Sequence, residues 1–190
     1  MNARATSTGD TATDEALAER TGKGDRDAFA ELMRRHEEMV FAVCLRTMGD
    51  REAAMDAAQE TFTTVWRKAD RFRGESAFST WLYRVAVNTC YDLHRKAARR
   101  AADPLPETHD PVDRSAEDPF TSVELRPAIE SAVASLPDEF RVAVVLSDIE
   151  GLPLAQVAEI LEVPTGTVKS RVFRGRRHLA EVLGNLREAP

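Results

Sequence analysis

The stretch from Phe72 to Asn88, FRGESAFSTWLYRVAVN, carries the residues most able to do chemistry. A basic, glycine-bearing loop with Phe72, Arg73, Gly74 and Ser76 runs into a segment holding Phe78, Trp81 and Tyr83 beside Arg84. Unpaired nucleic acid exposes base faces, so rings for stacking and cations beside a loop that can follow the backbone suit a single strand. Phe78, Leu82, Val85 and Thr89 recur at helical spacing and read as a core stripe. Trp81, Arg84 and Asn88 fall beside it and keep a binding role open.

A second constellation lies at Leu154 to Arg177, LAQVAEILEVPTGTVKSRVFRGRR. Its spacing fits a helix-turn-helix. Val157, Leu161, Val163 and Val168 stand where the two helices must pack, Ala158 is small at their crossing, and Pro164 stops the first helix. In the second helix Val168, Val172 and Leu179 form an inward stripe, leaving Lys169, Ser170, Phe173, Arg174 and Arg177 outward. Cations for phosphates and guanines, a hydroxyl, and a ring able to meet a thymine methyl make that face suited to duplex DNA. Glu162 departs from the common pattern by standing where such a turn usually holds glycine, which predicts strain or an altered bend.

The elements that must position these residues are helical. Asp25 offers an N-cap to a helix whose buried side carries Phe29, Leu32, Met33, His36, Val40, Val43 and Cys44, and Gly49 can end it. Asp50 caps the next, with Ala54, Ala57, Ala58, Thr61, Phe62 and Val65 inward and Asp56, Gln59 and Glu60 as a polar patch. A third helix runs from about Ser79 to Arg100, and no segment alternates with strand period. Residues before about Asp25 read as a frayed tail containing one short helix, DEALAER. The stretch ADPLPETHDPVDRSAEDP holds four of the nine prolines and reads as a flexible acidic linker. Helical periodicity returns from Val123, with Pro137 suited to a first helical position. The expected fold class is all-α: two small helical domains on a tether, the second a helix-turn-helix domain.

With 190 residues, 43% of them hydrophobic, the chain can pack one medium or two small cores. The net charge of −6 argues against a nonspecific DNA coat, yet the charge is segregated. From Ala101 to Glu124 the acids Asp103, Glu107, Asp110, Asp113, Glu117, Asp118 and Glu124 face one base, Arg114. From Thr165 to Arg187 the bases Lys169, Arg171, Arg174, Arg176, Arg177 and Arg187 face Glu181. No apolar run reaches the ~18 residues of a membrane span, and the start, MNARATSTGDTATD, has no signal-peptide core, so a cytoplasmic protein without membrane insertion is expected. Cys44 and Cys90 sit in apolar patterns and read as buried free thiols.

A melted-strand surface followed by a duplex reader, in that order and with this linker, resembles the extracytoplasmic-function (ECF) sigma factors of bacterial RNA polymerase. DAAQETF at Asp56 to Phe62, FRGESAFSTWLYRVAVN at Phe72 to Asn88, and PTGTVKSRVFRGRRHL at Pro164 to Leu179 carry the resemblance. It implies residues 1–24 as a tail, 25–100 as sigma region 2, 101–123 as the linker and 124–187 as sigma region 4. It implies further that Asp56, Gln59, Glu60 and Phe62 belong to the segment docking on the clamp helices of the polymerase β′ subunit, with the β subunit as a further contact. The loop at Asp70 to Ser76 (Phe72, Arg73, Gly74, Ser76) would capture a flipped base of the minus-ten element, with Asn88 as reader and Trp81 holding the strands apart. Lys169, Ser170, Phe173, Arg174 and Arg177 would read the minus-thirty-five duplex, with Thr165 and Thr167 near phosphates. The linker would thread the RNA exit region, and an anti-sigma factor would be the usual control. The resemblance implies neither catalytic residue, metal nor cofactor. Two other classes stay open: a free-standing helix-turn-helix repressor or activator acting as a homodimer, and an enzyme, for which His36, Cys90, Asp92 and His94 show no compelling spacing.

Overall fold

In the computed structural model, residues 12–102 and 125–188 are described. Residues 103–123 of the expected linker, the first residues of the expected tail and the side chain of Arg187 lie outside that range, while Ala101 and Ala102, expected in the linker, continue the third helix. Helix α1 spans Asp14–Gly22, α2 Arg26–Met48, α3 Arg51–Lys68 and α4 Phe78–Ala102, with a 3-10 turn at Ala69–Arg71. After the linker come α5 (Leu125–Ala134), α6 (Asp138–Val144) running on through a wide π turn at Val145–Ile149, α7 (Leu154–Leu161) and α8 (Thr165–Glu188).

The helix ends follow from local chemistry. Asp25 accepts hydrogen bonds from the N–H groups of Asp27 and Ala28, and Asp50 accepts one from Ala53. Each meets donors that the first turn of a helix cannot satisfy internally, worth about 1 kcal/mol per cap. Gly49 closes α2 at φ 71°, a left-handed conformation that glycine adopts without a Cβ penalty. Helix α6 begins after Pro137, with Asp138 and Glu139 in its first turn.

Helices α1 to α4 enclose one core. Leu17, Leu32, Val40, Cys44, Ala57, Val65, Phe78, Leu82 and Cys90 are buried there. Both thiols are free and buried, and the neighbouring Cys44 together with burial pushes the Cys90 thiol well up.

One expectation is corrected. The DEALAER helix is no frayed tail: Leu17 and Ala18 are fully buried, the N–H of Phe78 donates to Glu15, and Asp14 binds Arg35 Nη1 at 2.9 Å and His36 Nε2 at 2.7 Å. Apolar side chains on one face and acids matched to α2 on the other make the short helix part of the core, which its length concealed. The halves also pack on each other. The second cluster joins Val43 of α2 and Tyr83 and Val87 of α4 to Val142, Leu146, Val157, Ile160 and Val168.

Candidate nucleic-acid interface

Helix α4 presents three faces. Phe78, Leu82, Val85, Ala86 and Thr89 are buried in the first core, as the stripe predicted, while Tyr83 and Val87 turn toward the second half. Trp81 and Asn88 lie on the remaining edge, Trp81 half-buried and Asn88 exposed. Arg84 is three residues after Trp81 and four before Asn88, so helical geometry places it beside both.

The loop leading into α4 is bent at Gly74, φ 68°, with nothing near the position a Cβ would take. It carries exposed Arg73 and half-buried Phe72 and Ser76. Phe72, Phe78 and Trp81 form an aromatic triangle with ring centroids 5.5 to 5.7 Å apart. Tilted and edge-on contacts of this kind add about 0.5–1.5 kcal/mol per pair beyond area burial. Phe78 is sealed at 1% exposure, so it backs a platform whose accessible rings are Phe72 and Trp81. The structure thus unites Phe72, Arg73, Gly74, Ser76, Trp81 and Asn88 along the loop and one edge of α4. On α3, Asp56, Gln59 and Glu60 are exposed, whereas Phe62 is in the core at 7% exposure. What that segment offers a partner is therefore the acidic and amide face alone.

In the second half, Val157 and Val168 are fully buried and Ala158 nearly so, while Leu161 and Val163 are partly covered. Glu162 closes α7 at φ 54°, the left-handed turn, and is the non-glycine residue with positive φ among the described residues. A side chain there costs about 1–2 kcal/mol relative to the right-handed region. The expected strain is real, and the turn keeps its ordinary shape.

Along α8, Lys169, Ser170, Phe173, Arg174 and Arg177 point outward, and Phe173 is 69% exposed. Thr165 is exposed and Thr167 half-buried in the first turn, where free backbone N–H groups and the helix dipole favour an anion. The cations differ in their engagements. Arg171 pairs with Glu139 at 3.1 Å, Arg176 with Asp148 at 2.7 Å and Arg177 with Glu181 at 3.1 Å. Arg176 holds the Asp148 carboxyl below its usual range. Lys169 and Arg174 have no ion-pair partner among the described residues, so they are the cations least committed to the fold. Gly175 lets α8 approach α6: a Cβ there would stand 2.6 Å from Val144 Cγ2.

Sequence reading missed the polar contacts that fix the halves together. Glu150 accepts hydrogen bonds from Arg46 Nη1 at 2.8 Å and from the Tyr83 hydroxyl at 3.1 Å; burial first, then that carboxylate, raises Tyr83's pKa. Buried Arg141 donates to the carbonyl oxygens of Thr47 across the interface and of Ala134 and Leu136 within its own half, at 2.6 to 2.7 Å. Gln156 donates to the Thr80 hydroxyl at 2.9 Å. These partners are separated by 67 to 104 positions apart from Arg141's local bonds, and no local signal could have paired them.

Among the described residues no helix is long and apolar enough to cross a membrane, and no group of three or more His, Cys, Asp or Glu could hold a metal ion.

Comparison with known proteins matches residues 32–100 to the family model for sigma-70 region 2 and residues 126–179 to that for sigma-70 region 4. The ECF RNA polymerase sigma-E factor of Haemophilus influenzae is 37% identical over 174 residues, covering 86% of this chain and 92% of the relative. The ECF RNA polymerase sigma factor SigM of Mycobacterium tuberculosis is 40% identical over 163 residues, covering 86% and 81%. Among solved structures, the sigma factor RpoE in complex with the anti-sigma factor NepR, from Bartonella quintana, superposes with a TM-score of 0.66 at 25% identity, covering 82% of this chain and 96% of that one.

Proposed function

Since the chain belongs to the extracytoplasmic-function sigma factors, we propose that it divides promoter opening between an aromatic edge in its first half and a cationic helix in its second. It is a sigma factor: it binds core RNA polymerase, directs it to specific promoters and assists strand opening. The family match across both regions favours this over a free-standing repressor or activator, which has no use for region 2.

The first domain is taken as α1 to α4, with α1 counted in its core, and the second as α5 to α8. On α3, Asp56, Gln59 and Glu60 meet basic residues of the β′ clamp helices, with Phe62 holding that face in place from the core. Lys169, Ser170, Phe173 and Arg174 read the minus-thirty-five duplex, Arg177 lies beside them, and Thr165 and Thr167 meet phosphates. The Phe72 loop and Trp81 then receive bases of the opened minus-ten element, with Asn88 reading one of them. Flipping a base costs a few kcal/mol, which stacking of about 1–3 kcal/mol per base can offset. Binding energy does the work, and the protein acts without a catalytic residue of its own. It works in the cytoplasm, where polymerase and promoter are, and an anti-sigma factor, as seen with the Bartonella quintana relative, controls its release.

The observation that carries this division is the Phe72–Phe78–Trp81 triangle, with two accessible rings beside the exposed Asn88. Run-off transcription with purified core polymerase on a promoter library tests it. New promoter-specific transcripts that require this protein are expected; sequence-specific DNA binding by the protein alone, without transcripts, would overturn the reading.

A further inference from the structure

Arg84 sits where the two halves meet and where the strand-reading edge begins. Its Nη2 donates to the backbone carbonyl of Glu159 at 3.1 Å, and the carboxylates of Glu159 and Glu162 stand 3.6 and 3.5 Å from the guanidinium. Both acids come from the end of α7 and the helix-turn-helix bend. The fit is incomplete: Nε is buried and has no hydrogen-bond partner among the described residues. A guanidinium has five donors in a fixed fork, and two distant carboxylates and one carbonyl leave that fork unfilled.

Glu162 also occupies its position at a backbone cost. It adopts the left-handed conformation that glycine takes freely, yet its side chain reaches Arg84. The unusual residue in the turn and the underfilled cation opposite it have one explanation in common.

We infer that Arg84 is a phosphate-binding residue for the opened strand, and that Glu159 and Glu162 occupy it as phosphate surrogates while the two halves are closed on each other. The inference rests on the reading of Trp81 and Asn88 as the minus-ten edge. Arg84 neighbours both on α4, so a strand stacked on Trp81 brings its backbone within reach. A phosphate offers oxygens in the plane that a guanidinium fork matches, and it would supply an acceptor for the unfilled Nε. The closed form leaves Phe173 and Asn88 open to solvent, so what it withholds is this cation and the freedom to set the two readers at promoter spacing. Duplex engagement by α8, or docking on polymerase, moves the acids away and releases Arg84 to the strand.

The test uses the full chain and a fluorescent single strand of mixed sequence, ~12 nucleotides long, at low salt. Glu159→Gln with Glu162→Gly removes both carboxylates, and glycine at φ 54° keeps the turn, which a thermal melt checks. This double variant should bind the strand roughly 3- to 10-fold more tightly, the range open to two partly exposed ion pairs. Arg84→Ala also frees the acids, yet should bind more weakly than the wild type. If Arg84→Ala instead tightens binding as the double variant does, Arg84 is only a latch and the inference fails; unchanged affinity in the double variant overturns it equally. Trp81→Ala separates this from the reading beneath it. Loss of binding in both backgrounds upholds the minus-ten edge whatever Arg84 does, whereas wild-type binding overturns that edge and Arg84's place on it.

Discussion

The edge of α4 and the outward face of α8 are both proposed to read DNA, and they are built on opposite plans. The α4 edge is a platform: two accessible rings are braced by a third in the core, and polar groups stand at its margin. The α8 face is a row of exposed side chains, with Phe173 unsupported at 69% exposure and Lys169 and Arg174 free of ion pairs among the described residues. The difference matches the ligands. A flipped base has no neighbours to hold it and needs a rigid surface already in place, while duplex DNA is itself rigid and is met by long side chains that adapt. Preorganisation therefore sits in the protein on one side and in the DNA on the other.

This contrast can be broken in four ways. The largest effect is expected from Trp81→Ala, which removes a stacking surface worth about 1–3 kcal/mol per base. Promoter opening, followed by permanganate reactivity of unpaired thymines, should fall ~5- to 150-fold, while affinity for core polymerase holds. Equal loss of both, with the fold intact, would dissolve the division of labour. Next, Gly175→Ala attacks the support of the α8 face rather than the face itself. The added methyl meets Val144 at 2.6 Å, and such overpacking costs about 1–3 kcal/mol, read as a lowered thermal midpoint with minus-thirty-five binding weakened in step.

Lys169→Ala should reduce the salt slope of duplex binding by about one unit while leaving the slope for a single strand unchanged. Altered base preference with an unchanged slope would make Lys169 a base reader. The smallest effect belongs to Asp148→Asn, which frees Arg176 and should strengthen duplex binding a few-fold, since such a partly exposed pair is worth at most about 1 kcal/mol. The same pair has a pH signature. Asp148's folded pKa is depressed, so its contribution is present above the ordinary carboxylate value of 3.8 and fades as pH falls below it. In Asp148→Asn that fraction of the acid-side slope in stability should vanish, as measured by denaturant titrations between pH 5 and 3.

Several elements were legible before any coordinates. Asp25, Gly49 and Asp50 mark helix ends by their own side-chain and backbone chemistry, and each stands where it was expected. The stripes on α4 and α8 followed from helical period, because burial on one face imposes spacing on the chain. The packing of α1 was not legible. A helix of nine residues is too short to be fixed by its own propensity, and what holds it are Arg35, His36 and Phe78 at sequence separations of 21, 22 and 63.

The sequence by itself determined an all-α chain, the two ends of α2, the start of α3 and the helix-turn-helix, since caps, periodicity and turn residues act over a few positions. It also placed Phe72, Trp81 and Asn88 near one another, because they fall within one loop and one helix. Only the tertiary structure decided that Val43, Tyr83 and Val87 complete the core of the second half, that Glu150 joins Arg46 to Tyr83, and that Glu162 reaches Arg84. Those contacts bridge segments far apart in the chain, and a residue's own pattern carries no record of which distant surface it will meet.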